Sequence, residues 1–381
     1  MKHRPPNIPF NKPCVLGTEL AFINEALTSS SLAGGRAFSL KCEKFIEDEF
    51  NIKKAFLCPS GTAALEACAL LCDVSINDEI IMPSFTFSST ANAFALRGAK
   101  IKFVDIDIDT LNISVKAIER AITAKTKAIV VVHYAGVCCD MDEIKALADK
   151  HSIWLIEDAA HAIGSHYKRQ SAGSIGHLSC FSFHETKNIT AGGEGGALLI
   201  NDSSLIERAN IVVEKGTNRI AFHHGDVSKY HWVGLGSSYL MPEIQSAYLW
   251  GQLISYRKIN DDRIRIYNEY VNGLKALNLA HKIKLPLIPK YCNANGHLFY
   301  FLCENKTVRD QILNYLRQQG VLAVFHYLPL HSSPAGRKFS CFHGNDVNTT
   351  QVSERLVRLP LFYGFDETQY VIDKIKQFYK A

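Results

Sequence analysis

Short apolar runs alternate with amphipathic segments over residues 54–201. The runs are rich in β-branched and aromatic residues, which is typical of buried strands. The segments between them carry apolar residues at positions i, i+3 and i+4, as in the predicted helix with Leu65, Cys68, Ala69 and Cys72. This alternation predicts βαβ units around a mostly parallel sheet, and therefore an α/β core. The seven predicted strands are KAFLC, EIIMP, KIKFVDI, TKAIVVVHY, IWLIEDA, LSCFSFH and GGALLIN.

The pattern changes after Asp261. A charged amphipathic segment, QLISYRKINDDRIRIYNEYVNGLKAL, predicts a connecting helix, and HLFYFLCEN and VLAVFHY predict strands on either side of a helix around residues 312–316. A final helix has one apolar face, made of Val371, Ile372, Ile375 and Phe378. We therefore expect a large α/β domain over residues 1–255 and a smaller α+β domain over residues 256–381.

The composition is that of an ordinary globular protein. Of 381 residues, 47% are hydrophobic, and the formal net charge is +5. Lysines and arginines are scattered along the chain, so no basic stripe indicates binding to nucleic acid. No segment approaches the ~18 consecutive apolar residues of a membrane span, and the basic N-terminal segment lacks the apolar core of a secretion signal. We expect a cytoplasmic protein that binds small anions and neither nucleic acid nor a membrane.

The 11 cysteines show no metal-binding or disulfide spacing. Cys68 and Cys72 share a predicted helical face with Leu65 and Ala69, which predicts core packing. We expect most of the thiols to be reduced and buried, and we expect no metal site.

A Ser-Gly-Thr turn follows the first predicted strand. Ser60, Gly61 and Thr62 lead into a helix, and the free backbone N–H groups at a helix N-terminus bind anions. The same turn also serves as an ordinary helix cap. It lacks the spacing of a P-loop and of a dinucleotide glycine motif, so it favours neither nucleotide fold.

Two acids end the predicted strand in WLIEDAAHA. In open α/β sheets, the carboxyl ends of the strands border the ligand crevice. Because side chains alternate along a strand, one of Glu157 and Asp158 faces the crevice, while the other meets the helix layer or a partner charge. A strand-end acid that caps the next helix is an equally good interpretation of this fragment, and His161 alone is more typical of a hydrogen-bonded core histidine.

A single lysine follows the next predicted strand, in CFSFHETKNITAGGEGG. Lys187 and Asp158 therefore reach the same crevice. A partly desolvated lysine amine attacks a carbonyl to form an imine, and a carboxylate opposite a pyridine nitrogen keeps that nitrogen protonated. Phe85 or Phe87 is placed to stack on a flat ring and Ser182 to donate to a phosphate, although core packing and backbone hydrogen bonding are the alternatives. With the Ser-Gly-Thr turn and the glycine loop, these residues make up a pyridoxal-phosphate (PLP) site.

These motifs resemble the PLP-dependent aminotransferases of nucleotide-linked sugars, which have the aspartate aminotransferase fold (fold type I). The resemblance extends from IPFNKP to RLPLF, and its most specific segments are SGTAAL, PSFTF, EDAAHA, SFHETKN, GGEGG and QSAYL. Other segments are similar to the branch that makes dTDP-4-amino-4,6-dideoxygalactose for enterobacterial-type surface polysaccharides, including the common antigen and lipopolysaccharide. These segments are HYAGVCCDMD, CFSFHETKNITAGGEGG, EKGTNR, GSSYLM and AVFHYLPLH.

The resemblance implies a role for each matching position. Lys187 would carry the coenzyme and move the proton between coenzyme and substrate carbons, and Asp158 would pair with the pyridine nitrogen. The remaining cofactor positions are Phe87 against the ring, His161 near its 3-hydroxyl, and Gly61, Thr62 and Ser182 at the phosphate. Relatives commonly send an asparagine from the neighbouring subunit to the phosphate, and Ser238 of GSSY stands at that position.

The resemblance also implies a homodimer with shared active sites. The expected reaction moves the amino group of L-glutamate to C4 of dTDP-4-keto-6-deoxyglucose in two half-reactions. The candidate contacts to the sugar nucleotide are Lys215 and Arg219 of EKGTNR, and His326 and His331 of FHYLPLH. Solvated surface charge is the alternative for these side chains.

Three other functions stay open at this point. The first is amination of a 3-keto sugar, or of a sugar on another nucleotide, by an enzyme of the same fold. The second is the dehydratase branch, in which histidine replaces the lysine, so Lys187 argues against it. The third is a non-catalytic PLP-binding regulator, which usually carries a fused DNA-binding segment; no basic helix-turn-helix precedes residue 14.

Overall fold

The computed structural model describes residues 7–380, and residues 1–6 and 381 lie outside the described part. The strands are β1 (Lys54–Cys58), β2 (Glu79–Pro83), β3 (Lys100–Val104), β4 (Thr126–Val132), β5 (Trp154–Asp158), β6 (His166–Tyr167), β7 (Gln170–Ser171), β8 (Leu178–Ser182), β9 (Gly196–Ile200), β10 (Ile283–Lys284), β11 (Cys292–Asn293), β12 (Phe299–Cys303), β13 (Ser340–Phe342) and β14 (Leu356–Leu359). The α-helices are α1 (Glu19–Leu27), α2 (Ala37–Phe50), α3 (Gly61–Leu71), α4 (Ser88–Ala95), α5 (Val115–Ala121), α6 (Met141–His151), α7 (Ile206–Val213), α8 (Arg219–His224), α9 (Glu243–Leu253), α10 (Tyr256–Ala276), α11 (Lys306–Gln318), α12 (Pro334–Phe339), α13 (Thr349–Arg355) and α14 (Thr368–Lys380).

The central sheet has eight strands in the order β1-β9-β8-β5-β4-β2-β3-β13. Its neighbours from β8 to β13 run parallel, whereas β9 is antiparallel to both β1 and β8. Strands β1, β2, β4, β5 and β8 consequently end at the same edge of the sheet. The predicted α/β fold with a mostly parallel sheet is confirmed.

All seven predicted strands are present, but the prediction of a seven-stranded sheet is corrected to eight. The additional strand is β13, which pairs in parallel with β3 from Ser340 to Phe342. It contains three residues, all only partly buried. A segment this short has no periodicity, so its place at the edge of the sheet is set by tertiary packing.

Both faces of the sheet are buried, and this explains the continuous apolar runs in the sequence. Along β4, Ile129 and Val131 belong to the apolar cluster on one face, and Ala128 and Val130 belong to the cluster on the other. Helices cover each face. On α3, the thiols of Cys68 and Cys72 are free and buried beside Leu65 and Ala69, so this group packs in the core as predicted.

The C-terminal part forms a separate apolar cluster around the antiparallel sheet β10-β12-β14. Helix α10 joins it to the main core, because Ile259 packs in the main cluster and Ile266 in the C-terminal one. The predicted connecting helix is thus present, although QL of that segment ends α9. The division at residues 255/256 stays a prediction.

The strand predicted over VLAVFHY is wrong. The segment makes only isolated bridges: Val321 pairs with Ile8, and Val324 pairs with Arg358. Its backbone hydrogen bonds are divided between two partners, so no continuous ladder forms.

Among the described helices, none is both long and apolar enough to cross a membrane.

Candidate active site

A cavity of about 550 Å³ opens where five strands of the central sheet end. Its wall includes Asp158 at the end of β5, Ser182 at the end of β8, and the turns that follow β1 and β2. The C-terminal part of the chain closes the other side. The lining residues are Phe10, Ser60, Gly61, Thr62, Leu65, Thr86, Phe87, Ser89, Thr90, Val132, Asp158, Ala160, His161, Cys180, Ser182, His184, Thr186, Lys187, Glu194, His297, His326, Tyr327 and Arg358.

Lys187 and Asp158 line the same cavity, as their strand-end positions predicted. Burial disfavours the ammonium form and lowers the pKa of Lys187 from 10.5 to about 8. The attraction of Asp158 opposes this effect, and the positive charge of Arg358 adds to it. At pH 7 about a tenth of the amine is therefore unprotonated, far more than for a lysine of pKa 10.5, and a nucleophile or a proton-transfer base requires this form.

Asp158 is held in place by hydroxyl and backbone donors. The Thr90 hydroxyl donates to Oδ2 at 2.8 Å, and the Ala160 N–H donates to Oδ1 at 3.2 Å. Thr90 in turn shares a 2.8 Å hydrogen bond with Thr86. These contacts fix the carboxylate with one side towards the cavity.

Glu157 points to the opposite face of the sheet, as strand alternation required. It is completely buried and accepts hydrogen bonds from His133 Nε2 and from the N–H groups of Gly173, Ile175 and Gly176. Burial alone would favour the neutral acid, but the histidine and the turn donors outweigh it and lower the pKa of Glu157. This acid stabilises the fold and does not line the cavity.

The Ser-Gly-Thr turn is both a helix cap and an open anion site. The Ser60 hydroxyl accepts from Ala63 N–H at 3.0 Å, so it caps α3. The N–H groups of Gly61 and Thr62 have no intrahelical acceptor in this first turn, and both residues border the cavity. A Cβ at Gly61 would lie 3.0 Å from Ser182 Cβ, so only glycine lets the helix terminus sit directly beside Ser182.

The glycine loop is close-packed against protein. A Cβ at Gly195 would lie 2.7 Å from Ala191 Cβ, and one at Gly196 would lie 2.4 Å from Gly61 N. The absence of a side chain at Gly196 lets the start of β9 pack directly against the N-terminus of α3. These glycines therefore support the anion site through protein packing.

The two phenylalanines of PSFTF have different surroundings. Phe85 is buried in an apolar cluster with Tyr134, so the core-packing interpretation holds for it. Phe87 precedes α4 and borders the cavity with 61% of its surface exposed. An exposed aromatic face on the cavity wall is available to a planar ligand.

His161 stacks on a second histidine that the sequence did not single out. Its ring lies 4.2 Å from that of His297, whose Nδ1 shares a 2.8 Å hydrogen bond with Asn188 Oδ1. Burial, reinforced by nearby positive charge, lowers the pKa of His161 well below its usual value, so the ring is neutral. Its Nδ1 is buried without a hydrogen-bond partner in the described part of the chain.

An arginine that sequence reasoning missed completes the wall. Arg358, on β14, donates to the His326 ring and lies 4.5 Å below the Phe10 ring. His326 stacks on Tyr327 at 4.0 Å, and burial lowers the pKa of His326 to about 2, so it is a neutral acceptor. A signal was present, because a charge within the buried strand LVRL must find a polar partner.

Four predicted residues do not line this cavity. Lys215 and Arg219 lie near Glu214, at 3.2 and 3.6 Å, and the exposed Ser238 bridges to the same glutamate. The fourth, His331, bonds Ser84 Oγ at 2.7 Å through Nδ1 and lies 3.3 Å from an Asp346 oxygen through Nε2. With both nitrogens engaged, His331 is placed to hold its own loop, and the geometry gives no support to its predicted substrate contact.

The donor set fits PLP on independent grounds. An anion site with two free N–H groups, a carboxylate, an exposed aromatic face and a partly deprotonated lysine converge on one cavity. His161 lines the same cavity, and its Nδ1 has no hydrogen-bond partner in the described part of the chain, so it is available to a polar group of the coenzyme. These groups are sufficient to hold a phosphorylated pyridine aldehyde.

Comparison with known proteins gives a consistent picture. A model of the DegT/DnrJ/EryC1/StrS aminotransferase family matches residues 14–376. An uncharacterised protein of Methanocaldococcus jannaschii is 34% identical over 93% of this chain and 92% of its own length. A pleiotropic regulatory protein of Geobacillus stearothermophilus is 32% identical over 94% and 93%.

A solved structure extends the comparison to the coenzyme. The PLP form of a candidate sugar aminotransferase of Streptococcus pneumoniae superimposes with a TM-score of 0.89 at 26% identity, covering 98% of this chain and 99% of the other. The same protein has also been solved in a PMP form. Because the family match spans nearly the whole chain, this PLP-dependent enzyme belongs to the DegT/DnrJ/EryC1/StrS aminotransferase family.

Proposed function

We propose that the enzyme transfers the amino group of L-glutamate to C4 of dTDP-4-keto-6-deoxyglucose, giving dTDP-4-amino-4,6-dideoxygalactose in the cytoplasm for a surface polysaccharide. The observation that carries amino transfer is the placement of Lys187 and Asp158 in one cavity. The choice of sugar is supported by the resemblance of EKGTNR, GSSYLM and AVFHYLPLH to one branch of the family.

The roles follow from the chemistry of each group. When bound, PLP supplies a protonated pyridine ring that withdraws electrons from the carbon bearing the transferred nitrogen. Asp158 would keep the pyridine nitrogen protonated, and Phe87 would stack on the ring. The N–H groups of Gly61 and Thr62 and the hydroxyl of Ser182 would hold the phosphate.

Lys187 performs the proton movement. Its Nζ would hold the aldehyde carbon of the coenzyme at rest, and its unprotonated amine would take up and give back the proton of the substrate carbon. The neutral ring of His161, which lines the cavity, would lie near the 3-hydroxyl of the coenzyme. The same residues serve both half-reactions, because the second is the first in reverse with a keto sugar in place of the keto acid.

The cavity volume of about 550 Å³ lies within the ~300–1,000 Å³ common for ligand sites. His326 lies on the wall where the sugar would bind. We propose that Lys215, Arg219 and Ser238, which lie outside the cavity of their own chain, complete the site of a second copy in a homodimer.

Incubation with ¹⁵N-labelled L-glutamate and a panel of dTDP- and UDP-linked 3-keto and 4-keto sugars tests the proposal. NMR of the products identifies the carbon that gains nitrogen and its configuration. Amination at C3, or a preference for UDP sugars, would replace the proposed substrate with the 3-keto or other-nucleotide alternative.

A variant tests the residue that carries the chemistry. Lys187→Ala is expected to fold and to lose turnover, while the exposed control Lys116→Ala keeps it. Borohydride reduction of the coenzyme-loaded protein, followed by peptide mapping, should label Lys187. Substantial turnover by Lys187→Ala, or an unlabelled Lys187, would refute the assignment; a bound coenzyme that glutamate leaves unconverted would favour a regulator.

A further inference from the structure

Two cysteines from distant parts of the chain meet in the main core. Cys138 lies between β4 and α6, and Cys292 lies on β11. The N–H of Cys138 donates to Cys292 Sγ at 3.1 Å, and both thiols are free and buried in the main apolar cluster. A contact of 3.1 Å between the backbone of one residue and the sulfur of the other puts the two Cα atoms no more than about 7 Å apart, which is about the reach of a disulfide.

The neighbouring Cys139 does not compete for this contact. Its thiol donates to the carbonyl of Val132 at 3.3 Å, which directs it towards β4. Its N–H donates to His133 Nδ1 at 3.1 Å, so its backbone is held as well. Of the two consecutive cysteines, Cys138 is therefore the one placed to react with Cys292.

Cys292 is the more reactive thiol of the pair. The hydrogen bond from the Cys138 thiol, helped by the Cys138 N–H, stabilises the thiolate and lowers the pKa of Cys292, although burial opposes this effect. The same thiol contact and burial raise the pKa of Cys138. Burial also raises the pKa of other thiols, namely Cys14, Cys42, Cys58, Cys68, Cys72, Cys180 and Cys303. A thiol of lowered pKa beside a second thiol is typical of redox-sensitive pairs.

Cys292 also lies close to the surface. It is 5% exposed, and the next residue, Asn293, is exposed. Strand β11 has only two residues and is an edge strand that pairs with β6. Opening a strand this short breaks few hydrogen bonds, so a small oxidant can reach the sulfur while the core stays folded.

We propose that Cys138 and Cys292 form a reversible disulfide when the protein meets a peroxide. The Cys292 thiolate first attacks one peroxide oxygen; the S–O bond forms, the O–O bond breaks, and hydroxide leaves. The Cys138 sulfur then attacks the resulting sulfenic acid; the S–S bond forms, the S–O bond breaks, and the oxygen leaves as water with the proton of Cys138. Two thiols and one hydrogen peroxide thus give one disulfide and two waters, and the two electrons pass from the sulfurs to the peroxide.

The bond goes beyond the proposed amino transfer, because it changes the stability of the chain. It ties the segment after α10 to the main core and closes a loop of about 150 residues, and a crosslink of this span restricts the unfolded chain. A thiol such as glutathione reverses it by thiol–disulfide exchange.

Peptide mapping of the full-length, coenzyme-loaded protein tests the proposal. The protein is treated with a stoichiometric amount of hydrogen peroxide under native conditions, and the remaining thiols are then alkylated. Digestion and mass spectrometry should show one peptide pair joined through Cys138 and Cys292, which glutathione separates. Cys139→Ser and Cys341→Ser are the matched controls, the second at a partly exposed thiol, and both should give the same pair.

Two further measurements identify the order of the steps and the effect of the bond. In Cys138→Ser the reaction should stop at a sulfenic acid on Cys292, which dimedone labels. Urea denaturation without reductant should show a midpoint about 0.5–1 M higher for the oxidised than for the reduced wild type, and no such shift in Cys138→Ser.

Several outcomes would overturn the inference. They are a crosslink through Cys139, a crosslink that forms only in urea, and full alkylation of both cysteines after peroxide treatment. The mapping needs only the wild type, so a variant that does not fold leaves the test intact. None of the measurements involves amino transfer, so a failure here is separate from a failure of the proposed function.

Discussion

Removing the amine of Lys187 is expected to stabilise the coenzyme-free protein. In Lys187→Met the side chain keeps its length and most of its volume but has no charge to desolvate. Burial lowers the pKa of the lysine to about 8 in the folded chain, against 10.5 in the unfolded chain. Below pH 8 the folded protein therefore holds a proton on this amine at a cost that the unfolded chain does not have.

The magnitude follows from the two pKa values. At about 1.4 kcal/mol per pH unit, the difference between 10.5 and about 8 corresponds to about 3 kcal/mol. Lys187 borders an open cavity, and water there screens part of the cost, which leaves about 2 kcal/mol. This is a large gain for a single substitution, because most substitutions destabilise.

The direction of the pKa shift of Lys187 gives the stability difference a characteristic pH profile. Between pH 8 and 10.5 the unfolded chain binds more protons at this position than the folded chain, so the stability of the wild type rises with pH across this window. The advantage of Lys187→Met should therefore be full at pH 7 and vanish near pH 10.5. Any change in packing adds a constant that does not vary with pH.

Urea denaturation of the coenzyme-free proteins at fixed protein concentration, from pH 7 to 10.5, measures the effect. Lys116→Met, on the exposed side of α5, is the control and should show no advantage that depends on pH. A stability difference between Lys187→Met and wild type that stays the same from pH 7 to pH 10.5 would contradict the reasoning. Such a result would mean that the folded protein keeps Lys187 well hydrated.

Three further predictions concern the groups around this lysine. Thr90→Val removes the hydroxyl donor to Asp158 and should weaken coenzyme binding by about 10-fold in an absorbance titration, whereas Thr90→Ser should not. Equal coenzyme affinities of Thr90→Val and wild type would show that Thr90 does not position the carboxylate. Gly61→Ala places a methyl 3.0 Å from Ser182 Cβ, so it should reduce coenzyme affinity and lower the free energy of unfolding by about 1–3 kcal/mol in urea denaturation. Adding Ser182→Gly to the same chain should restore the stability, and no restoration would refute this contact as the cause. Glu157→Gln should lower the free energy of unfolding by about 3 kcal/mol at pH 7, and this difference should shrink as the pH falls through the lowered pKa of Glu157. An unchanged free energy of unfolding at pH 7 would show that the buried charge does not stabilise the fold.

Local pattern was sufficient for seven of the eight strands of the central sheet and for the central pair of groups. The seven runs are buried on both faces, so each had to be continuously apolar to be a strand, and their order along the chain implied parallel connections. Because parallel strands end at one edge, Asp158 and Lys187 were expected to meet. Strand alternation also required Glu157 to turn away from the cavity, as it does. These conclusions depend on periodicity and neighbouring connections, which are properties of the sequence itself.

The far side of the cavity was decided by tertiary structure. Arg358 and His326 come from the C-terminal part, and their approach to Lys187 depends on how that part packs against the main sheet. Two histidines of one motif, His326 and His331, had equal claims in the sequence, but only the first lines the cavity. The sequence alone determined which residues end the strands at the crevice, because the apolar runs end there and side-chain alternation decides which face each side chain takes. Which distant side chains close over them is set by packing between segments, and no local repeat encodes it.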